Sequence, residues 1–269
     1  ERSRIGEERF RREHECEFLI FDETLISSIH LADMEGVAPV ETTGQVRWFK
    51  RPTPGHTYLV SLDPSMGTGG DFAAIQIFEL PTFEQVGEWQ HNMTPMNQQI
   101  RILQGINKHI HDSIIEKDST ATPQIFYSME NNTIGEAALM RVMDIGEENI
   151  EGMFLSEPIR KGHRRKFRRG FNTTAKFKID ACTKFKELVE SGKMKINSQL
   201  LISELKDFVA TGLSFKAKPG QHDDLVSSCL LMTRMMKVLA DFDPKIFEKW
   251  TDRSSELTAP MPIFGNFYG

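Results

Sequence analysis

The chain has 269 residues, 39% of them hydrophobic and 26% charged, with a formal net charge of −5. That size suits one large domain, or one domain with appendages, and the acidic balance excludes a wholesale nucleic-acid coat while leaving room for a local basic patch. No apolar run approaches the roughly 20 residues of a membrane span, no signal-peptide pattern is visible, and Cys16, Cys182 and Cys229, an odd set without CxxC spacing, read as reduced thiols of a cytosolic protein.

The first residue is Glu1, inside a charged, helix-like stretch, so the chain is expected to be a piece of something longer. Residues 41–44 and 51–54 read as linker, and the main domain is expected to begin near His56. From there the predicted elements are strands at 58–62, 72–78 and 82–90, then a helix over 96–115 with an apolar stripe at Ile100, Leu103, Ile106 and Ile110. A strand at 124–130, a helix at 133–143 and a short strand at 152–155 follow. The last elements are a helix at 174–190 stopped at Gly192, a β-like 194–196, a helix at 198–209 capped by Ser198, a strand at 213–217 and an apolar helix over 221–239. Beyond Asp243 an irregular tail is expected. Three early antiparallel strands followed by αβ units predict a mixed-sheet α/β fold.

Three acidic positions sit where apolar elements begin or end: Asp63, Glu130 and the adjacent pair Asp223 and Asp224. Each has a bland explanation, in a turn or as a helix cap. Taken together, carboxylates that converge repel one another unless a hard cation lies between them. Three or four carboxylates without a His/Cys cluster select Mg²⁺ or Mn²⁺, one or two ions, and phosphodiester cleavage is the chemistry such a centre performs. Adjacent helical positions point about 100° apart, so only one of the pair can share the site fully. Asp224 is expected to be the primary ligand and Asp223 an auxiliary one. Asp71 reads as a turn residue close by. His222 is a candidate ligand, proton carrier or structural loop residue. The glycines after Asp63 match neither the P-loop spacing nor a dinucleotide fingerprint.

Residues 160–178 carry nine Lys or Arg and no acid. Arg160, Lys161, Arg164, Arg165, Lys166, Arg168, Arg169 and Lys176 are the candidate DNA-binding residues, with Phe167 and Phe171 interleaved. A cationic loop beside a metal site would hold the phosphate backbone without reading sequence.

Four stretches in order, 62–71, 127–131, 170–178 and 222–228, resemble the C-terminal nuclease domain of the large terminase subunit of tailed bacteriophages, with the myovirus headful-packaging type the nearest in pattern. The resemblance covers about 56–240, and residues 9–18 resemble the end of that family's ATPase domain. It implies a ribonuclease H-like fold, an ATPase remnant and linker over 1–55, a nuclease domain over 56–242 and a tail over 243–269. It also implies Mg²⁺- or Mn²⁺-dependent endonuclease cleavage of concatemeric double-stranded viral DNA, with Asp63, Glu130 and Asp224 as the catalytic acids. The implied partners are the portal protein and the small terminase subunit, and the implied location is the host cytoplasm, transiently at the prohead portal. ATP would be used only by the missing N-terminal domain, since no P-loop occurs in the chain. A resolvase- or integrase-type nuclease, or a non-catalytic DNA- or portal-binding module, remains an alternative on the acid pattern alone.

Overall fold

The structure is a computed structural model, and it describes residues 23–158 and 169–242. Its centre is a seven-stranded mixed sheet in the order β1-β2-β5-β4-β3-β6-β7. The strands are β1 (Glu41–Thr43), β2 (Val46–Trp48), β3 (Thr57–Asp63), β4 (Ala73–Leu80), β5 (Glu84–His91), β6 (Gln124–Met129) and β7 (Met153–Phe154). β3, β4 and β5 form an antiparallel meander, and β6 lies parallel to β3. The parallel pairing needs a crossover, supplied by helix α2 (Met96–Lys117).

The continuous apolar runs of β3 and β4 follow from cover on both faces. Side chains alternate along a strand, so Tyr58, Val60 and Leu62 of β3 and Ile125, Tyr127 and Met129 of β6 share one core with α2 and with α3 (Thr133–Ile145). Leu59 joins the other core. That core is built with α1 (Ser28–Asp33), α4 (Ala175–Glu190), α5 (Gln199–Asp207) and α6 (Asp224–Phe242). The same period of two puts Asp63, two residues beyond Ser61, on the α6 face. It puts Glu130 there as well, one residue past Met129.

Two expectations are corrected. Residues 41–44, read as linker, instead supply β1 and the turn of the β1–β2 hairpin, and β2 pairs with β5. Trp48, Leu25, Ile26 and Leu31 are buried in the two cores, so the described residues ahead of His56 belong to the same folded body. The helix expected over 198–209 ends at Asp207, and Phe208–Thr211 becomes β8, paired with β9 (Ser214–Ala217) in a separate hairpin. Phe208 is fully buried there, so a core position outside the helix overrides the helical pattern. The segments 1–22 and 243–269 lie outside the described residues. No helix among the described residues is long and apolar enough to cross a membrane.

Candidate active site

Asp63 is the last residue of β3, and Glu130 follows β6 directly. The register Leu62↔Met129 sets the two acids side by side, and the Glu130 amide donates to the Leu62 carbonyl at 3.3 Å. Their side chains share a hydrogen bond. Burial pushes the Asp63 carboxyl well above the ordinary value, reinforced by Glu130, then Asp224, then Asp223. Two carboxyl groups this close repel each other when both are charged, so the pair is arranged as if a positive charge belonged there.

Glu130 is held from several directions. Its backbone bridges Phe171 in parallel, and Asn132 Nδ2 donates to its Oε2 at 3.3 Å. Asn132 is also the N-cap of α3, accepting from Ile134 and Gly135. A Cβ on Gly135 would stand 1.8 Å from the Glu130 carbonyl, so only glycine lets α3 start that close to the acid. Asn131 ties the other side, donating from Nδ2 to the Arg169 carbonyl at 2.7 Å and from its backbone to Phe171 at 2.7 Å.

The third contribution comes from the start of α6. Ser228 Oγ donates to the Ser61 carbonyl at 2.8 Å, and Ser61 Oγ donates to the Ser228 carbonyl at 2.8 Å. This fixes α6 against β3. Asp224, one turn before Ser228, therefore faces the tips of β3 and β4, where the Phe72 amide bonds to it. Burial first, then Asp223, pushes the Asp224 carboxyl up to about 6, with His222 opposing. Its Oδ2 is buried without a hydrogen-bond partner and stands 3.5 Å from His222 Nδ1. Asp223 faces α4 instead, with Oδ2 3.9 Å from Lys178 Nζ. Asp71 is an exposed residue of the β3–β4 loop that acts on Asp224 only through its charge. His222 is exposed and packs edge-on against Phe72 at 4.8 Å.

Between α6 and α4 lies a cavity of about 130 Å³ with Asp63 and Glu130 in its wall. Thr173, Lys178, Ser227 and Arg234 line it as well, closed by Ala181, Leu230 and Leu231. Ser227, Leu230, Leu231 and Arg234 continue the helical stripe that begins at Asp223. Arg234 is pinned rather than free. It pairs with Glu157, donates to the Asn172 carbonyl at 3.0 Å and to Thr173 Oγ1 at 3.1 Å, and lies over the rings of Phe171 and Phe177.

Of the basic candidates, Arg160, Lys161, Arg164, Arg165, Lys166 and Arg168 lie outside the described residues. Arg169 is paired with Glu147 and stacks over Phe154, so its charge is already matched within the fold. Lys176 is exposed on the first turn of α4. Lys178 and Arg234 were not singled out by sequence. The one signal for Arg234 is a lone guanidinium inside an otherwise apolar helix face.

Among the described residues no three His, Cys, Asp or Glu side chains converge tightly enough to hold a metal ion as they stand. Asp63 and Glu130 are bonded as a pair, and Asp223 and Asp224 adjoin them electrostatically. The donor chemistry nevertheless fits a hard divalent cation: oxygen donors from three elements, two of them drawn together at Asp63 and Glu130, and a buried Asp224 oxygen lacking a partner.

No protein-family model matches the sequence. The fold is similar to solved structures. The large terminase nuclease from thermophilic phage G20c with bound magnesium aligns with a TM-score of 0.58 at 17% identity, over 80% of this chain and 97% of that one. The same nuclease with bound cobalt gives 0.57 at 17%, over 80% and 97%. The Thermus phage P74-26 large terminase nuclease domain gives 0.53 at 18%, over 76% and 91%. The seven-stranded mixed sheet flanked by helices has the ribonuclease H-like fold of the large terminase nuclease domains.

Proposed function

We propose that this chain is a divalent-metal-dependent endonuclease that cuts double-stranded viral DNA during genome packaging. The observation that carries the reading is the Asp63–Glu130 pair, hydrogen-bonded at the tips of two adjacent parallel strands and set in the wall of a cavity that also holds Lys178 and Arg234. Asp63, Glu130 and Asp224 would hold Mg²⁺ or Mn²⁺, with Asp223 available to a second ion. A bound ion would supply Lewis acidity at the phosphodiester and lower the pKa of the attacking water. The solved relatives with magnesium or cobalt bound support a divalent ion.

The chain's own residues divide the remaining work. Lys178 places a cation beside Asp223 at the cavity, where a phosphate oxygen gains from it. His222 borders Asp224 and opposes the rise of its proton affinity. Ser61 and Ser228 hold the helix start against the strand end. The basic run 160–168 would grip the DNA backbone, and Arg234 ties the chain at Asn172 and Thr173 to α6. By resemblance, the portal protein and small terminase subunit are the partners, and the site of action is the prohead portal in the host cytoplasm.

The test is digestion of supercoiled plasmid with Mg²⁺, Mn²⁺ or chelator. Nicked and linear products with either ion, absent with chelator, are expected. No cleavage with either ion would overturn the reading, and cleavage confined to four-way junctions would redirect it to a resolvase.

A further inference from the structure

Helix α6 begins at Asp224, and its first-turn amides need acceptors from outside the helix. The residue placed to provide them is Asp223, whose own carbonyl already accepts the first helical bond, from Ser227 at 2.7 Å. An aspartate there ordinarily turns its side chain onto the amides two and three residues ahead. Asp223 does not. Its Oδ2 accepts from the Ala217 amide at 3.2 Å and stands 3.9 Å from Lys178.

The amides are received by a residue from another element. Glu204, on α5, accepts from the Val226 amide at 3.1 Å through Oε2, and the Leu225 amide bonds to it too. Gln90, near the end of β5, donates to Glu204 Oε1 at 2.8 Å and fixes the carboxyl in place. The cap of α6 is thus built in trans, from α5 and β5.

We infer that Glu204 is a positioning residue whose capping of α6 keeps the Asp223 carboxylate off the helix amides and turned toward Lys178 and the metal site, an inference that rests on the proposed nuclease reading. Without Glu204, two first-turn amides lose their acceptor, and the nearest replacement is the Asp223 side chain itself. Its turn onto Leu225 and Val226 would withdraw it from Lys178 and from the acids around Asp63. Glutamine can keep both bonds, its oxygen accepting from the amides and its NH₂ meeting a reoriented Gln90 amide. Aspartate, one methylene shorter, cannot span the gap.

The test measures Mn²⁺ affinity by electron paramagnetic resonance in Glu204→Ala, Glu204→Asp and Glu204→Gln, each also made on Asp223→Asn. Alanine and aspartate are expected to weaken Mn²⁺ binding by about tenfold, the lower end for a residue that orients ligands, with glutamine within twofold of wild type. On Asp223→Asn, the further change at 204 is expected to cost less than twofold. Wild-type affinity in Glu204→Ala and Glu204→Asp, equal losses in all three variants, or the same tenfold loss on both backgrounds would overturn the inference. Should Glu204→Ala not fold, Glu204→Asp and Glu204→Gln carry the comparison. A wild-type protein that binds no Mn²⁺ would overturn the metal reading itself, and the inference with it.

Discussion

Ser61 and Ser228 exchange hydroxyl-to-carbonyl hydrogen bonds, each 2.8 Å long, across the contact between β3 and α6. Both residues are fully buried. The exchange fixes the rotation of α6 two residues before Asp63 and four after Asp224, so the register of the acids is set by a neutral contact in the core.

Replacing Ser228 with Ala leaves the Ser61 carbonyl without its side-chain partner. A loss of about 1–3 kcal/mol is expected from such a buried group. Removing both hydroxyls should cost less than the two single changes added together, because the partners share one exchange. Urea unfolding of the two single variants and the double variant checks this, and strict additivity would mean that the two hydroxyls act independently.

Arg234 joins three things near Glu130: Glu157, the chain at Asn172 and Thr173, and the rings of Phe171 and Phe177. Arg234→Ala is expected to destabilise by about 2 kcal/mol or more, because Glu157 loses a largely buried partner. Arg234→Lys should recover little, since a lysine has neither the planar fork nor the stacking surface. Thermal unfolding of the two variants compares them directly, and full recovery by lysine would reduce the contact to simple charge pairing.

Glu204 gives a pH signature. Burial pushes its carboxyl up from 4.5 to about 8, with the charge of Asp224 adding and the amides and Gln90 opposing. The folded state therefore binds this proton more tightly than the unfolded chain does. The stabilisation is complete below the ordinary value and is lost as pH rises through the window up to about 8. Glu204→Gln has no such loss, so its Tm relative to wild type should climb as pH rises from about 5 to about 8. In a domain of this size each kcal/mol appears as roughly 2–4 °C. A Tm difference flat across that range would show that Glu204 keeps an ordinary proton affinity in the folded protein.

The basic segment separates by the surroundings of its residues. Changing Arg164, Arg165, Lys166 and Arg168 to Gln should weaken duplex binding and lower the salt slope by about 0.9 for each phosphate that is no longer neutralised. Arg169→Gln should act differently. Its partner is Glu147 and its guanidinium covers Phe154, so lower stability with an unchanged slope is expected. Fluorescence anisotropy across a salt series measures both, and an unchanged slope in the fourfold variant would remove the DNA-clamp role.

How far the sequence reads depends on the range of the interaction. The central strands and the long helices were legible because Tyr58, Val60 and Leu62, or Ile100, Leu103 and Ile106, repeat at the period of their own element. The acids were legible as a set because each ends or opens such an element. The β1–β2 hairpin was not, because Val46–Trp48 joins the sheet by pairing with β5 across the chain and Glu41–Thr43 then pairs with it. Phe208 ends α5 early for a similar reason, as a core position. The sequence ranked Asp224 and Asp223 without showing why both stay available. That answer lies in Glu204, twenty residues away in sequence and on another helix, and no local pattern marks it.

The claim at the centre is that Asp63, Glu130 and the start of α6 form one metal site. Crystals soaked in Mn²⁺ and measured for anomalous scattering test it most directly. A peak bound by Asp63 and Glu130, with Asp224 or Asp223 completing the ligands, is the predicted result, and Asp63→Asn should abolish it. A fully soaked crystal with no peak at these acids, or with Mn²⁺ held only elsewhere, would contradict it.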